Sequence, residues 1–126
     1  MTTTHEVRLQ RVYEHSSATI GKRVLVDRVW PRGVRKESLS LDRWLRDLGP
    51  SDELRKWFGH RPDRWREFQQ RYRAELARPP QSDLVDELVA LARQGPVTLL
   101  YGARDEERNQ AVVLRSLIEE RLATCS

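Results

Sequence analysis

Two short stretches hold most of the side chains able to do chemistry: Val26-Asp27-Arg28-Val29-Trp30-Pro31-Arg32-Gly33 and Tyr101-Gly102-Ala103-Arg104-Asp105-Glu106. An arginine fork binds a carboxylate or phosphate through two hydrogen bonds, so Arg28, Arg32 and Arg104 are candidates to grip an anion. Asp27 and Asp105 would orient those guanidiniums or act as general bases. The competing reading is an Asp–Arg pair that only ties loops to a sheet. Trp30, beside two arginines, could stack on a ligand with cation–π support, or plug the space under its loop. His60, in Phe58-Gly59-His60-Arg61-Pro62, is a third acid–base candidate, although an N-terminal cap or loop contact is the more common role of a histidine so placed. Asp27 and Asp105 could also hold Mg2+ through waters, but no metal-ligand spacing supports a metal site.

Both stretches leave apolar runs that read as strands. Val24-Leu25-Val26 lies in a predicted strand over Arg23 to Val29, and Val97 to Tyr101 is a continuous apolar run bounded by Pro96 and Gly102. If these strands are parallel neighbours, their carboxyl ends form the crevice in which open parallel sheets bind ligands. A final helix beginning near Asn109 would then aim free N–H groups at the same place, with the Asn109 amide facing the ligand.

The rest of the chain must supply the scaffold. Val7 to Tyr13 alternates apolar and polar and predicts a half-buried strand. About nine residues join it to the next strand, short for a parallel crossover carrying a helix, so the two either pair antiparallel or are separated in the sheet. Leu41, Trp44, Leu45 and Leu48 have helical spacing, closed by Gly49-Pro50. Ser51 is a cap for a helix presenting Leu54, Trp57 and Phe58. Pro62 suits the first turn of a helix striped by Trp65, Phe68, Tyr72 and Leu76. Pro79-Pro80 ends it, and Ser82 would cap a helix with Leu84, Leu88 and Leu91 inward. Ala111, Leu114, Ile118 and Leu122 stripe the last helix. The expectation is a single α/β domain over residues 1–126: a small layered fold with a short, mostly parallel sheet of about three strands packed with about five helices, and flexible ends at 1–6 and 123–126.

Composition narrows the classes. At 126 residues the chain can bury a core, and it has no apolar run long enough for a membrane span. The start, Met-Thr-Thr-Thr-His-Glu, lacks the pattern of a secretory signal, and the lone Cys125 can form no internal disulfide, so the expected location is cytoplasmic. The net charge is +4, and 20 of the 23 basic residues are arginine. Residues 22–36 alone carry +5 and the remainder −1. A basic segment with Trp30 in it suggests a nucleic-acid-binding module, yet helices such as the one around Asp63-Arg64-Trp65-Arg66-Glu67 mix both signs. Thr19-Ile20-Gly21-Lys22 lacks the upstream glycine of a phosphate-binding loop and leads into a strand.

Several segments together resemble the YeaO-like branch of the family called domain of unknown function 488: "RVYEHSSATIGKRVLVDRVWPRGVRKESLSLDRW", "LRKWFGH", "RYRAEL" and "VTLLYGARDEERNQAVVL". The resemblance runs from about Val7 to Leu122 and implies a small cytoplasmic α/β protein and a set of marked positions, without naming a reaction. These are Asp27, Arg28, Trp30, Pro31, Arg32 and Gly33; then Leu54, Arg55 and Phe58; then Tyr101, Ala103, Asn109, Ala111 and Leu114. Arg55 becomes a site candidate on this ground alone. Longer members of the wider family carry cysteines near the last strand and a Cys-His-Arg run before the last helix. Here those places hold Leu100, Tyr101 and Arg108-Asn109-Gln110, so thiol chemistry is not carried over.

The leading expectation is an anion-binding pocket at the strand ends, formed by Arg28, Trp30, Arg32, Arg55, Arg104 and Asn109. Asp27, Asp105 and His60 are the candidates for proton transfer. Such a site would serve a hydrolase or transferase acting on a phosphorylated or carboxylated small molecule, with no cofactor. The alternatives are the nucleic-acid module built on residues 22–36 and a protein–protein adaptor.

Overall fold

The computed structural model describes residues 6–13, 21–59 and 61–124. Four strands form one sheet: β1 (Val7–Arg11), β2 (Lys22–Leu25), β3 (Arg43–Trp44) and β4 (Val97–Tyr101). Their order is β1-β4-β2-β3, and every neighbouring pair is parallel. Five helices accompany them: α1 (Lys36–Leu39), α2 (Asp52–Phe58), α3 (Trp65–Leu76), α4 (Gln81–Gln94) and α5 (Gln110–Thr124). The small α/β architecture is as expected, with one strand more. β1 and β2 do not touch, because β4 lies between them.

β4 is central because all five of its residues are apolar or small and all are buried. Alternate side chains of a strand face opposite sides of the sheet. Val24, Val26, Leu99 and Tyr101 accordingly join the main core with α2 to α5, while Leu25 and Leu100 enter a smaller cluster with Val12 and Leu39. Trp30, Val34, Leu41 and Trp44 cover that second cluster. One face is thus packed by four helices and the other by the segment from Trp30 to Trp44.

The third strand replaces the helix that the spacing of Leu41, Trp44, Leu45 and Leu48 predicts. Asp42 N and Leu45 N donate to Arg23 O and Leu25 O at 2.9 and 3.0 Å, and the Asp42 carboxylate accepts Arg23 N at 2.8 Å. The open edge of β2 offers this segment a ladder, and an apolar pattern of barely two turns cannot outweigh it. Only Arg46–Leu48 keeps a helical turn, of the 3-10 type. β2 is also shorter than its apolar run suggests: Val26 N still bonds Leu100 O at 3.1 Å, and the chain then leaves the sheet. Val29, expected in the strand, is 61% exposed.

The helices follow their periodicity with two adjustments. α3 buries Phe68, Tyr72 and Leu76, with the half-buried Trp65 packed beside them. α4 starts at Gln81 after Pro80 with no side-chain cap, so Ser82 is not its cap, and it buries Val85, Leu88, Val89 and Ala92 while Leu84 and Leu91 sit at the margin. Glu6 O accepts Val97 N, and α5 continues to Thr124; the other terminal residues expected to be flexible lie outside the described residues.

Ser51 caps α2 as expected, accepting Leu54 N at 3.2 Å, and it is itself held by Glu75 of α3, which accepts Ser51 N at 2.9 Å and the Ser51 hydroxyl. Tyr72, fully buried, donates its hydroxyl to Leu48 O, and burial pushes its phenol well above the usual tyrosine range. These bonds lock the Gly49-Pro50-Ser51 corner to α3. Ser51→Ala removes the cap and the hydroxyl bond to Glu75, while the backbone bond to Glu75 stays, so thermal or urea unfolding should show a loss of about 1–2 kcal/mol.

Candidate functional site

β2 and β4 are parallel neighbours, so their carboxyl ends do meet, and a cavity of about 240 Å³ opens beside them. It is lined from three directions. Asp27, Arg28 and Val29 come from the turn after β2. Pro50, Arg55, Phe58 and Phe68 come from α2, α3 and the corner before them. Ala103, Arg108, Asn109 and Gln110 come from the turn after β4 and the start of α5.

Asp27 joins the first and third of these. Its Oδ2 accepts Gly102 N at 2.9 Å, its Oδ1 accepts the Gln110 amide, and its backbone oxygen accepts Trp44 Nε1 at 2.8 Å. Gly102 is needed here, because a Cβ would sit 2.9 Å from Asp27 Oδ2. No salt bridge involving Asp27 is found among the described residues. Burial without a cation raises its pKa from 3.8 to about 6, against the opposing pull of the Gly102 and Gln110 bonds.

Arg28 does not pair with Asp27. Its Nε donates to Pro50 O at 2.9 Å, its Nη2 donates to Gly49 O at 2.8 Å, and Nη1 lies 3.8 Å from Asp47. Gly49 permits this clamp: a Cβ there would lie 2.5 Å from Arg28 N. Arg28 therefore forms cavity wall while spending two of its donor groups on the backbone carbonyls of the corner after β3, and not on an Asp27–Arg28 pair. Arg55 and Arg108 are differently placed. Each lines the cavity and has one i,i+3 ion pair, the exposed one of Arg55 with Asp52 at 3.2 Å and the half-buried one of Arg108 with Asp105 at 3.3 Å. Pairs of that kind are weak and exchangeable.

Other candidates lie elsewhere. Arg32 and Arg104 are exposed and off the wall; the Arg32 carbonyl accepts the Tyr13 hydroxyl at 2.9 Å. Asp105 is also off the wall, so it shares no site with Asp27. Its Oδ1 accepts Glu107 N and Arg108 N at 2.9 and 3.0 Å, and these bonds together with Arg108 hold its carboxyl below the usual range. Trp30 is a plug: its indole meets Trp44 edge-on at a centroid distance of 5.2 Å, and its Nε1 donates to Val34 O at 2.7 Å. Asn109 lines the cavity, but its amide is committed. Oδ1 caps α5 by accepting Val112 N at 3.1 Å, and Nδ2 donates to Asp105 O at 2.9 Å. His60 lies outside the described residues.

Arg108, Phe58, Phe68 and Gln110 line the wall although the sequence does not mark them as site members. Arg108 could have been found as the partner of an Asp105-x-x-Arg108 turn directly before a helix cap. Phe58 and Phe68 read as helix stripes, and the ring stack they make, with centroids 4.5 Å apart, is visible only once α2 and α3 pack. Gln110 carried no signal.

A parallel four-stranded sheet with a cleft at the ends of β2 and β4, and with Asp27, Arg28, Arg55, Phe58, Ala103 and Asn109 all on that cleft, brings the marked positions of three distant segments together. The chain belongs to the DUF488 family and matches its inactive DUF488-N3 subclade over residues 6–126. It is 41% identical over 108 residues to YeaO of Escherichia coli K12, covering 86% of this chain and 92% of that protein. Proteins of Mycobacterium tuberculosis H37Rv and Mycobacterium bovis each share 42% identity over 115 residues, covering 91% of this chain and 95% of theirs. No solved structure matches the chain. Among the described residues, no helix is long and apolar enough to cross a membrane.

The Asp27 carboxyl makes stability depend on pH with a definite sign. Its folded pKa lies above the unfolded value, so the folded state binds more protons between about pH 4 and pH 6, and stability falls as pH rises through that window. The full drop is up to about 3 kcal/mol, reduced by whatever solvent reaches the group. Asp27→Asn, with Gln110 turning its amide oxygen to the new donor, should abolish this slope in urea titrations from about pH 4 to about pH 7.

Proposed function

We propose that the cavity binds a small organic anion with a flat or apolar body, and that it does so without turning the ligand over. The observation that carries this reading is the convergence of Arg28, Arg55 and Arg108 with Phe58, Phe68, Val29 and Pro50 on one cavity of about 240 Å³. Arg55 and Arg108 each have a single short-range ion pair at the cavity rim, so a ligand carboxylate or phosphate can displace Asp52 or Asp105 at modest cost and gain a charge-assisted bond in a drier place. The stacked phenyl rings and the proline offer contact for the rest of the molecule. A pocket of mostly apolar lining with a few convergent polar groups is the common form of a small-molecule site.

Binding without turnover is the better reading for two reasons. Of the proton-transfer candidates among the described residues, only Asp27 is on the wall, and its two oxygens are engaged by Gly102 and Gln110. The subclade to which the chain belongs is described as inactive. The nucleic-acid reading loses its aromatic platform, because Trp30 is packed on Trp44 and Arg28 is turned onto Gly49 and Pro50.

The test is calorimetric titration with benzoate and with inorganic phosphate. Benzoate should bind more tightly, and Arg55→Glu and Arg108→Glu should each weaken it about tenfold or more. Arg32→Glu and Arg104→Glu, off the wall, should leave it unchanged. Failure of both anions to bind, or equal loss from all four variants, would sink the proposal.

A further inference from the structure

The cavity contains one feature that sits badly with a site for anions: a carboxyl on its wall. Resting on the anion-binding reading above, we infer that Asp27 takes up a proton when an anion enters, so that ligand binding and protonation of this one side chain are coupled.

The geometry points to this in three ways. Asp27 is held in place by Gly102 N and the Gln110 amide, one on each oxygen, and its backbone oxygen is fixed by Trp44 Nε1, so the carboxyl cannot swing out of the cavity without breaking these bonds. The neighbouring cation that would neutralise it, Arg28, is committed to Gly49 O and Pro50 O. Arg55 and Arg108, the cations left for a ligand, already have acids of their own in Asp52 and Asp105. An anion admitted to this space therefore faces a fixed negative charge. Two acids sharing one confined site do not both stay ionised; one takes a proton. The ligand is the stronger acid and is gripped by arginine, so Asp27 takes it.

The charged and titratable groups around Asp27 do not offer another route. Arg28 is on its own turn, Asp47 follows β3, and Arg55 is on α2. Tyr72, pushed far up by burial, and Glu75, bonded to Ser51, are on α3. Asp105, held low by its turn, and Arg108 precede α5. His60, beyond the last residue of α2, lies outside the described residues and must be separated by experiment.

The proton comes from solvent and goes to a carboxylate oxygen of Asp27; no other bond forms or breaks. Protonation removes the negative charge from the wall, and the ordinary poise of the group, near pH 6, puts the coupling where small pH changes alter occupancy. A pocket built this way fills as the surroundings acidify and empties as they become neutral.

Benzoate is the probe, because it stays ionised over the useful range. Titrations at constant ionic strength from about pH 5 to about pH 8 should show affinity level at the acid end, then falling by up to about tenfold per pH unit above about pH 6. Calorimetry in two buffers of different ionisation enthalpy should show uptake of close to one proton per benzoate near pH 7. Asp27→Asn should bind with no pH dependence and no proton uptake, and His60→Gln should keep both. Benzoate binding that is level with pH and moves no proton would overturn the coupling while leaving the anion pocket intact. Proton uptake lost in His60→Gln would overturn it as well, and this arm holds even if Asp27→Asn does not fold. Absence of benzoate binding at every pH would instead remove the pocket reading itself.

Discussion

The bond from Gly102 N to the Asp27 carboxylate joins the two strand ends on which the site is built. β2 and β4 are held in register by their ladder only as far as Val26, and beyond it the two turns diverge. Asp27 spans the gap with one oxygen on Gly102 and the other on Gln110, so a single side chain ties the end of β2, the end of β4 and the first turn of α5. That position is half-buried and lacks a cation, and an ionised acid there is unfavourable. A neutral amide there would form a similar bridge without the cost of burying a charge.

Around this bridge the remaining interactions divide into those that build the wall and those that are free to meet a ligand. Arg28 belongs to the first group, together with Gly49, whose lack of a side chain lets the two backbones approach. Asn109 and Asp105 belong there too, since their polar atoms are spent on the turn and cap that start α5. Arg11 adds a brace from β1, its Nε donating to Ala103 O at 2.9 Å. What remains open to solvent and to change is Arg55 and Arg108. A charged residue's presence on a cavity wall thus says little until its donors are accounted for one by one.

Membership of a subclade described as inactive fits this division. The turn after β4 presents Ala103 to the cavity, and the segment entering α5 reads Arg108-Asn109-Gln110. In this chain the start of α5 fixes the Asp27 carboxyl through Gln110 and lines the cavity with Arg108 and Asn109.

Much of the scaffold was legible in the chain because it depends on local periodicity. The central strand β4, the Ser51 cap, the α3 stripe and the α/β class all follow from side chains a few residues apart. The segment at 41–48 was misread because the choice between a short helix and a strand was made by the free edge of β2, which lies about 20 residues away in sequence. The site was half legible for the same reason. Residue type and position at a strand end marked Asp27, Arg28 and Asn109, and the family resemblance marked Arg55. The direction in which each side chain spends its hydrogen bonds was not written there. That Arg28 donates to two backbone carbonyls, that Trp30 donates to Val34 O and that Arg108 reaches the cavity wall depend on which groups come within reach, and only the packing of β2, β4, α2 and α5 decides that.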